Sequence, residues 1–276
     1  MKMLLIAFNF DSEFGSEPYM AYSRAVAALK KYDLVHVITS DEANLETLKS
    51  LEKLNRNRFS YSILLRDRIP KFYGGAKFYV QYRRWQKKIP THISQLEEKF
   101  DIAWHGSLTS PLLGTGLSLS SIPYIYGPLA FSIFPIRYVR IAGINALREL
   151  VRNLLVKIIL CFDPFVRKSL KNAKVVIPGD ENTRQLLVRH SSGNCHFGEN
   201  VPCYAISNNS KIQVGSKSLD FVWVGKFISR KDPLFALEVA RFIVQKRKES
   251  KFAFFGGGQL RKKLEILIGP PMNHKS

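Results

Sequence analysis

Acidic residues are what this sequence most lacks. Asp and Glu number 22 against 42 Lys and Arg, giving a formal net charge of +20 over 276 residues. Such a surplus favours a polyanion, either nucleic acid or an acidic membrane surface. Cysteines number only 3, Cys161, Cys195 and Cys203, too few for a disulfide framework and in keeping with a reducing compartment. Together with His190 and His196 they match no standard zinc spacing. No apolar run approaches the ~20 residues of a membrane-spanning helix. The short one at residues 3–8 lacks a small-residue cleavage site after it, so it reads as a buried first strand rather than a leader. The phosphate-binding pattern GxxxxGK[ST] is missing, and Gly256-x-Gly258 meets Arg261 where GxGxxG requires a third glycine. Repeats and low-complexity segments are absent as well.

What is present is organised around residues 219–260. An apolar run ending at Val224-Gly225 predicts a strand, and Asp232-Pro233 predicts a capped helix start. Ala236, Val239, Ala240 and Ile243 recur at helical spacing, and a second apolar run at residues 252–255 ends in Gly256-Gly257-Gly258. Strand, helix and strand make a βαβ unit, whose ligands bind at the carboxyl ends of the strands. Lys226 and Lys231 fall in the first of those loops. They read equally well as a diphosphate clamp beside a helix N-terminus and as a solvated basic loop.

The amino end of the chain carries a second such unit. Residues 3–8 and 34–39 read as strands, and residues 19–31 as a helix with Ala21, Ala25 and Ala28 on its sheet-facing side. The intervening loop holds Gly15-Ser16-Glu17, where Ser16 reads as an N-cap and Glu17 as a first-turn acid. Basic and aromatic residues alternate through residues 66–88. A basic helix with its aromatics on the core is the favoured reading there, ahead of a phosphate backbone or a lipid headgroup layer. Residues 101–104 predict a strand ending at His105, and residues 123–126 another ending at Gly127-Pro128. Residues 137–174 read as a basic amphipathic helical stretch suited to an acidic membrane or to packing between domains. Residues 173–177 are expected to open a second domain.

These motifs resemble family-4 glycosyltransferases of GT-B fold, in the branch with a "GSE" loop. The resemblance rests on Gly15-Ser16-Glu17, His105, Gly127-Pro128, Val224-Gly225-Lys226, Lys231-Asp232 and Gly256-Gly257-Gly258-Gln259-Leu260. It implies two Rossmann-like α/β domains facing a cleft, residues 1–172 on the acceptor side and residues 173–276 on the nucleotide-sugar side. It also implies that Gly15, Ser16, Glu17, Lys226, Lys231, Gly257 and Gly258 hold the donor diphosphate and sugar, that His105 is catalytic, and that Gly127 and Pro128 lie on the acceptor side. Lysine replaces the family's arginine at 226, Asp232 replaces a glycine, and Leu129-Ala130-Phe131 replace the glycines usual after Gly127-Pro128. The implied activity is retaining, metal-independent transfer of a sugar from a nucleotide-sugar to a carbohydrate or lipid-linked acceptor hydroxyl, in surface polysaccharide or glycolipid synthesis. No cofactor is expected beyond the nucleotide-sugar itself, and no DxD metal motif occurs. The resembled enzymes run on for roughly another hundred residues, as a full-sized Rossmann domain requires. The second domain is therefore expected to be incomplete and the chain truncated at its C-terminus. The alternative is a non-catalytic homologue that binds a partner or an anionic membrane, and nucleic acid is the least favoured partner. A cytoplasmic, membrane-associated location follows from the same reading.

Overall fold

An all-apolar central strand signals a sheet covered on both faces. In the computed structural model, which describes residues 1–13, 16–68, 77–131, 144–192, 195–196, 219–228 and 231–269, strand β1 (Lys2–Ala7) is such an element. Residues 3 to 7 are all buried. It lies at the centre of six parallel strands with β2 (Leu34–Thr39), β3 (Phe59–Ile63), β4 (Ile102–His105), β5 (Tyr124–Leu129) and β6 (Val175–Pro178). The order is β3-β2-β1-β4-β5-β6, the doubly wound sequence in which strand order reverses between β1 and β4.

Side chains alternate between two cores. Met3, Leu5 and Ala7 meet Ala21, Ala25 and Ala28 of α1 (Ser16–Leu29) on one face. Leu4, Ile6 and Phe8 meet Tyr82, Trp85 and Ile89 of α3 (Lys77–Ser94) on the other. Small residues on α1 let that helix lie close to the sheet, as their spacing predicts. The basic–aromatic segment of the sequence thus becomes a helix with its inner aromatics in the core. Arg83 on its flank forms a two-pronged bond to Asp163 at 2.5 and 2.7 Å. Asp163 in turn caps α5 (Pro164–Lys171), accepting from the amides of Phe165 and Val166. Helix α2 (Leu45–Leu54), unassigned from the sequence, begins at Asn44, whose Oδ1 accepts from Glu46 and Thr47. Between Asp163 and the chain's middle runs α4 (Ile144–Phe162). No helix among the described residues is long and apolar enough to cross a membrane.

One boundary differs from the sequence reading. Residues 173–177 are expected from the sequence to open a second domain, but β6 hydrogen-bonds to β5 and extends the first sheet. Helix α6 (Glu181–Leu187) follows it, and Cys195 then bridges Val176 in parallel. A strand whose apolar residues suit either sheet carries no sequence mark of which one it joins. The chain divides into a larger unit, Met1–Ile136 with Glu149–Tyr204, and a smaller one, Arg137–Arg148 with Ala205–Ser276.

In the smaller unit β7 (Phe221–Val224) and β8 (Phe252–Phe255) pair in parallel, joined through α7 (Pro233–Lys246) and followed by α8 (Arg261–Ile268). This is the expected βαβ unit. Its core gathers Phe227, Leu237 and Leu264.

Trp85 ties the larger unit together. It is fully buried, meets the Phe8 ring edge-on at 5.2 Å, and donates Nε1–H to the Leu64 carbonyl at 2.7 Å. Trp85→Ala should lower stability by about 3–5 kcal/mol. Urea unfolding followed by circular dichroism checks this, and a loss below about 1 kcal/mol would contradict this packing account.

Candidate functional site

In a doubly wound sheet the ligand crevice opens at the carboxyl ends of the strands where their order reverses. Here that place is the end of β1 and the end of β4. Successive residues of a strand point to opposite faces, so Trp104 faces α1 while His105 faces α3. Trp104 donates Nε1–H to the Gly127 carbonyl at 2.8 Å and lies under Arg24, whose guanidinium carbon stands 5.5 Å from the ring centroid. Burial lowers the Arg24 pKa to about 10, against the attraction of Glu17. Glu17, in the first turn of α1, accepts the Leu108 amide on Oε2 at 2.8 Å. Leu108 itself has φ +49, a left-handed conformation that side chains rarely adopt. The start of α1 and the loop after β4 are therefore held together by one carboxylate.

His105 is fully buried, stacked between Tyr82 and Tyr126 at ring distances of 6.4 and 5.4 Å. Its Nε2 is 2.9 Å from the Tyr82 hydroxyl. Tyr82 donates to the Leu108 carbonyl at 3.1 Å and accepts from Gln86 Nε2 at 2.9 Å. Gln86 Oε1 accepts the Gly116 amide at 2.8 Å. This cluster grips the loop after β4 from beneath at two points. Burial pushes the His105 pKa down to about 3, with the Ser107 backbone opposing and Arg24 assisting, so the imidazole stays neutral. His105 Nδ1 and Ser107 Oγ are buried and have no hydrogen-bond partner among the described residues. The sequence places His105 at the strand end, where the structure has it. Its side chain has no exposed surface, so its geometry is that of a residue positioning the loop.

Gly127 and Pro128 lie inside β5, joined by a cis peptide, where the β5–β6 register shifts between Tyr126 and Leu129. Their carbonyls accept from Trp104 of β4 and from Thr109 of the loop after it. The larger unit therefore brings Glu17, the ends of β4 and β5 and the His105 cluster into one connected network. Ser16 is the exposed first residue of α1, and Gly15 lies outside the described residues. Arg24, Tyr82 and Gln86 escaped the sequence reading. Only Gln86 left a trace there, as a polar residue on the apolar stripe of Tyr82 and Ile89.

In the smaller unit the loops after β7 and β8 are laced together. Gly225 N donates to the Phe255 carbonyl at 3.0 Å, Phe227 N to Gly257 at 2.9 Å, and Leu260 N to Phe227 at 2.9 Å. Gly256 has φ +154, and a Cβ there would stand 1.8 Å from the Gly225 carbonyl oxygen. Gly258 has φ +147, with a Cβ position 2.6 Å from the Phe227 oxygen. At Gly257 a Cβ would meet nothing within 4 Å. Lys226 and Lys231 are exposed in the first loop, and neither ammonium has a partner among the described residues. Asp232 (φ +47) caps α7 by accepting the Phe235 amide at 3.1 Å. Its carboxylate thereby fills part of the helix N-terminus that an anion would use.

No protein-family model matches the chain and no curated protein matches it. Solved structures do. Arabidopsis thaliana UGT89C1 complexed with UDP aligns at TM-score 0.51 and 14% identity, over 92% of this chain and 66% of that one. The same protein complexed with UDP-L-rhamnose aligns at TM-score 0.50 and 13% identity, over 94% of this chain and 68% of that one. This chain thus spans 66% of the length of the first of these structures. The likeness shows the fold alone, Rossmann-like α/β of the GT-B class.

Two predictions come from this geometry. Two glycines of the loop after β8 differ sharply: Gly256→Ala should displace the turn and destabilise the smaller unit, while Gly257→Ala should leave it intact. Hydrogen exchange at Phe221–Val224 reads the difference, and equal protection in both variants would refute the lacing. The second concerns pH. His36, bonded through its ring nitrogens to Ser60 and Ser62 at 2.8 and 3.0 Å, is also held neutral by burial, its pKa lowered to about 4. The unfolded chain protonates both histidines below pH ~6.5 while the folded chain resists. Their contribution is thus complete above pH ~6.5 and falls as pH drops towards 4 for His36 and 3 for His105, on the order of 1 kcal/mol per pH unit for each. Urea midpoints between pH 7 and 5 should show the slope shrink in His105→Asn. Ring NMR signals of His105 that titrate near pH 6.5 would contradict the burial account.

Proposed function

We propose that the chain belongs to an enzyme that transfers a sugar from a nucleotide diphosphate donor to an acceptor hydroxyl, with retention and without a metal. The observation that carries this is the pair of carboxyl-end loops in the smaller unit. Two ammonium groups without a partner among the described residues, at Lys226 and Lys231, share a loop locked by Gly256 and Gly258 to a turn with open backbone at Gly257. Cations fixed beside a short, accessible turn suit a diphosphate leaving group, and their work is to neutralise the charge that grows there as the glycosidic bond breaks. The similar structures are bound to UDP and UDP-L-rhamnose, which agrees with that ligand class.

On this reading the start of α1, with Ser16 and the neighbouring Gly15, supplies amides and a positive dipole end for a phosphate. Glu17 holds the β4 loop through the Leu108 amide on Oε2, and its other oxygen is the one that would face the donor. His105 is a positioning residue. Gly127 and Pro128 shape the acceptor side, and the acceptor is a carbohydrate or lipid-linked hydroxyl of surface polysaccharide or glycolipid synthesis.

The test is calorimetry with UDP. Lys226→Ala should weaken binding at least about tenfold, the scale of one charged hydrogen bond of about 1.5–3 kcal/mol. Unchanged affinity would reduce the lysine loop to a solvated surface and remove the basis of the proposal.

A further inference from the structure

The larger unit has a second concentration of positive charge, away from the strand ends discussed above. A cavity of about 490 Å³ opens between α5 and the chain just after α6, lined by Arg167, Lys168 and Lys171 from the helix and by Arg189, His190 and Ser192 from beyond α6. No carboxylate lines it among the described residues. Arg167, Lys168, Lys171 and Arg189 are exposed, and none has an ion-pair partner among the described residues. The Ser192 hydroxyl donates to the Lys171 carbonyl, tying one wall to the other.

Topology sets this cavity apart from the switch point. Helix α5 ends at Lys171 just before β6 begins at Val175. Helix α6 ends at Leu187, before Cys195 rejoins the sheet in parallel beside Val176. Both helices therefore finish towards the amino ends of the strands, whereas Rossmann ligands bind at the carboxyl ends.

Cations in the last turn of a helix complement its dipole, which accounts for Lys168 and Lys171. It does not account for Arg189 and His190, which belong to another segment, or for gathering them around one cavity. Four like charges so placed repel one another unless an anion joins them. The imidazole registers this crowding, since burial first and then Arg167 and Arg189 hold the His190 pKa below its usual value.

We infer that this cavity is a binding site for a phosphoryl anion, taken as a free diphosphate or as the headgroup of an anionic lipid. Two guanidinium forks supply paired donors that match phosphate oxygens, and the lysines supply further charge. The inference does not depend on the proposed activity.

The test uses two probes, inorganic pyrophosphate and vesicles of phosphatidylcholine with or without phosphatidylglycerol. The full chain carries Lys226→Ala and Lys231→Ala throughout, so that the loop of the smaller unit does not contribute. Pyrophosphate should raise the His190 pKa in ring NMR titrations, and Arg167→Gln with Arg189→Gln should weaken binding about tenfold or more. A control pair of equal charge change, Lys30→Gln with Lys31→Gln at exposed positions, should have little effect. Vesicle flotation that shows this same pattern while pyrophosphate does not bind identifies a lipid headgroup as the ligand. The site is refuted if neither probe binds, or if the control pair weakens binding as much as the arginine pair. All substituted positions are exposed, so folding is not at risk.

Discussion

Parallel strands pair only when the chain crosses back over the sheet between them, so every strand of such a sheet brings a covering element with it. That requirement governs the larger unit. With β1 at the centre, α1 and α2 pack on one face and α3 on the other, and the chain must choose a direction at β1 and reverse it at β4. The reversal leaves the ends of β1 and β4 without a crossover above them. The start of α1 rises beside that gap, and the loop after β4 folds over it.

The loop after β4 is anchored in the core by Leu113 and Leu117, and hydrogen bonds fix its backbone. Glu17 takes its amide at Leu108, Tyr82 takes its carbonyl there, and Gln86 takes the amide of Gly116. Buried polar groups stabilise only when satisfied, because each one left alone costs about 1–3 kcal/mol. The Tyr82–Gln86–His105 cluster meets that condition at all but His105 Nδ1, and neutral histidine is what makes it affordable. A charged imidazole at that depth would face no carboxylate, only Arg24 nearby.

Much of this was legible in the sequence, because the strongest signals were local. The apolar runs of β1, β2, β7 and β8, the alanine spacing of α1 and the Asp232-Pro233 helix start all appear where their patterns put them. The glycine turn was legible as a turn, though which of its glycines is sterically obligatory depended on Gly225 and Phe227 across the gap. What escaped was long-range. Nothing near Val175 says that it pairs with Ile125 rather than with a strand of the smaller unit. Nothing near His105 says that Tyr82 and Gln86, about twenty residues earlier, will enclose it. Strand-end histidines look alike in sequence whether they face solvent or core, since one residue of phase decides between them.

That phase has a consequence for folding fidelity. Trp104 and His105 are neighbours with different surroundings: the indole N–H donates to the Gly127 carbonyl, while the imidazole is stacked between two tyrosine rings with Nε2 beside the Tyr82 hydroxyl. If β4 paired one residue out of step with β1, the indole would enter the Tyr82–Gln86 cluster and the imidazole would lie under Arg24. The misaligned sheet would then lose the Gly127 contact on one face and the stacking between Tyr82 and Tyr126 on the other. Short strands of four residues slip easily on hydrophobicity alone. Here two adjacent rings with different surroundings act as a proofreading device against the wrong alignment.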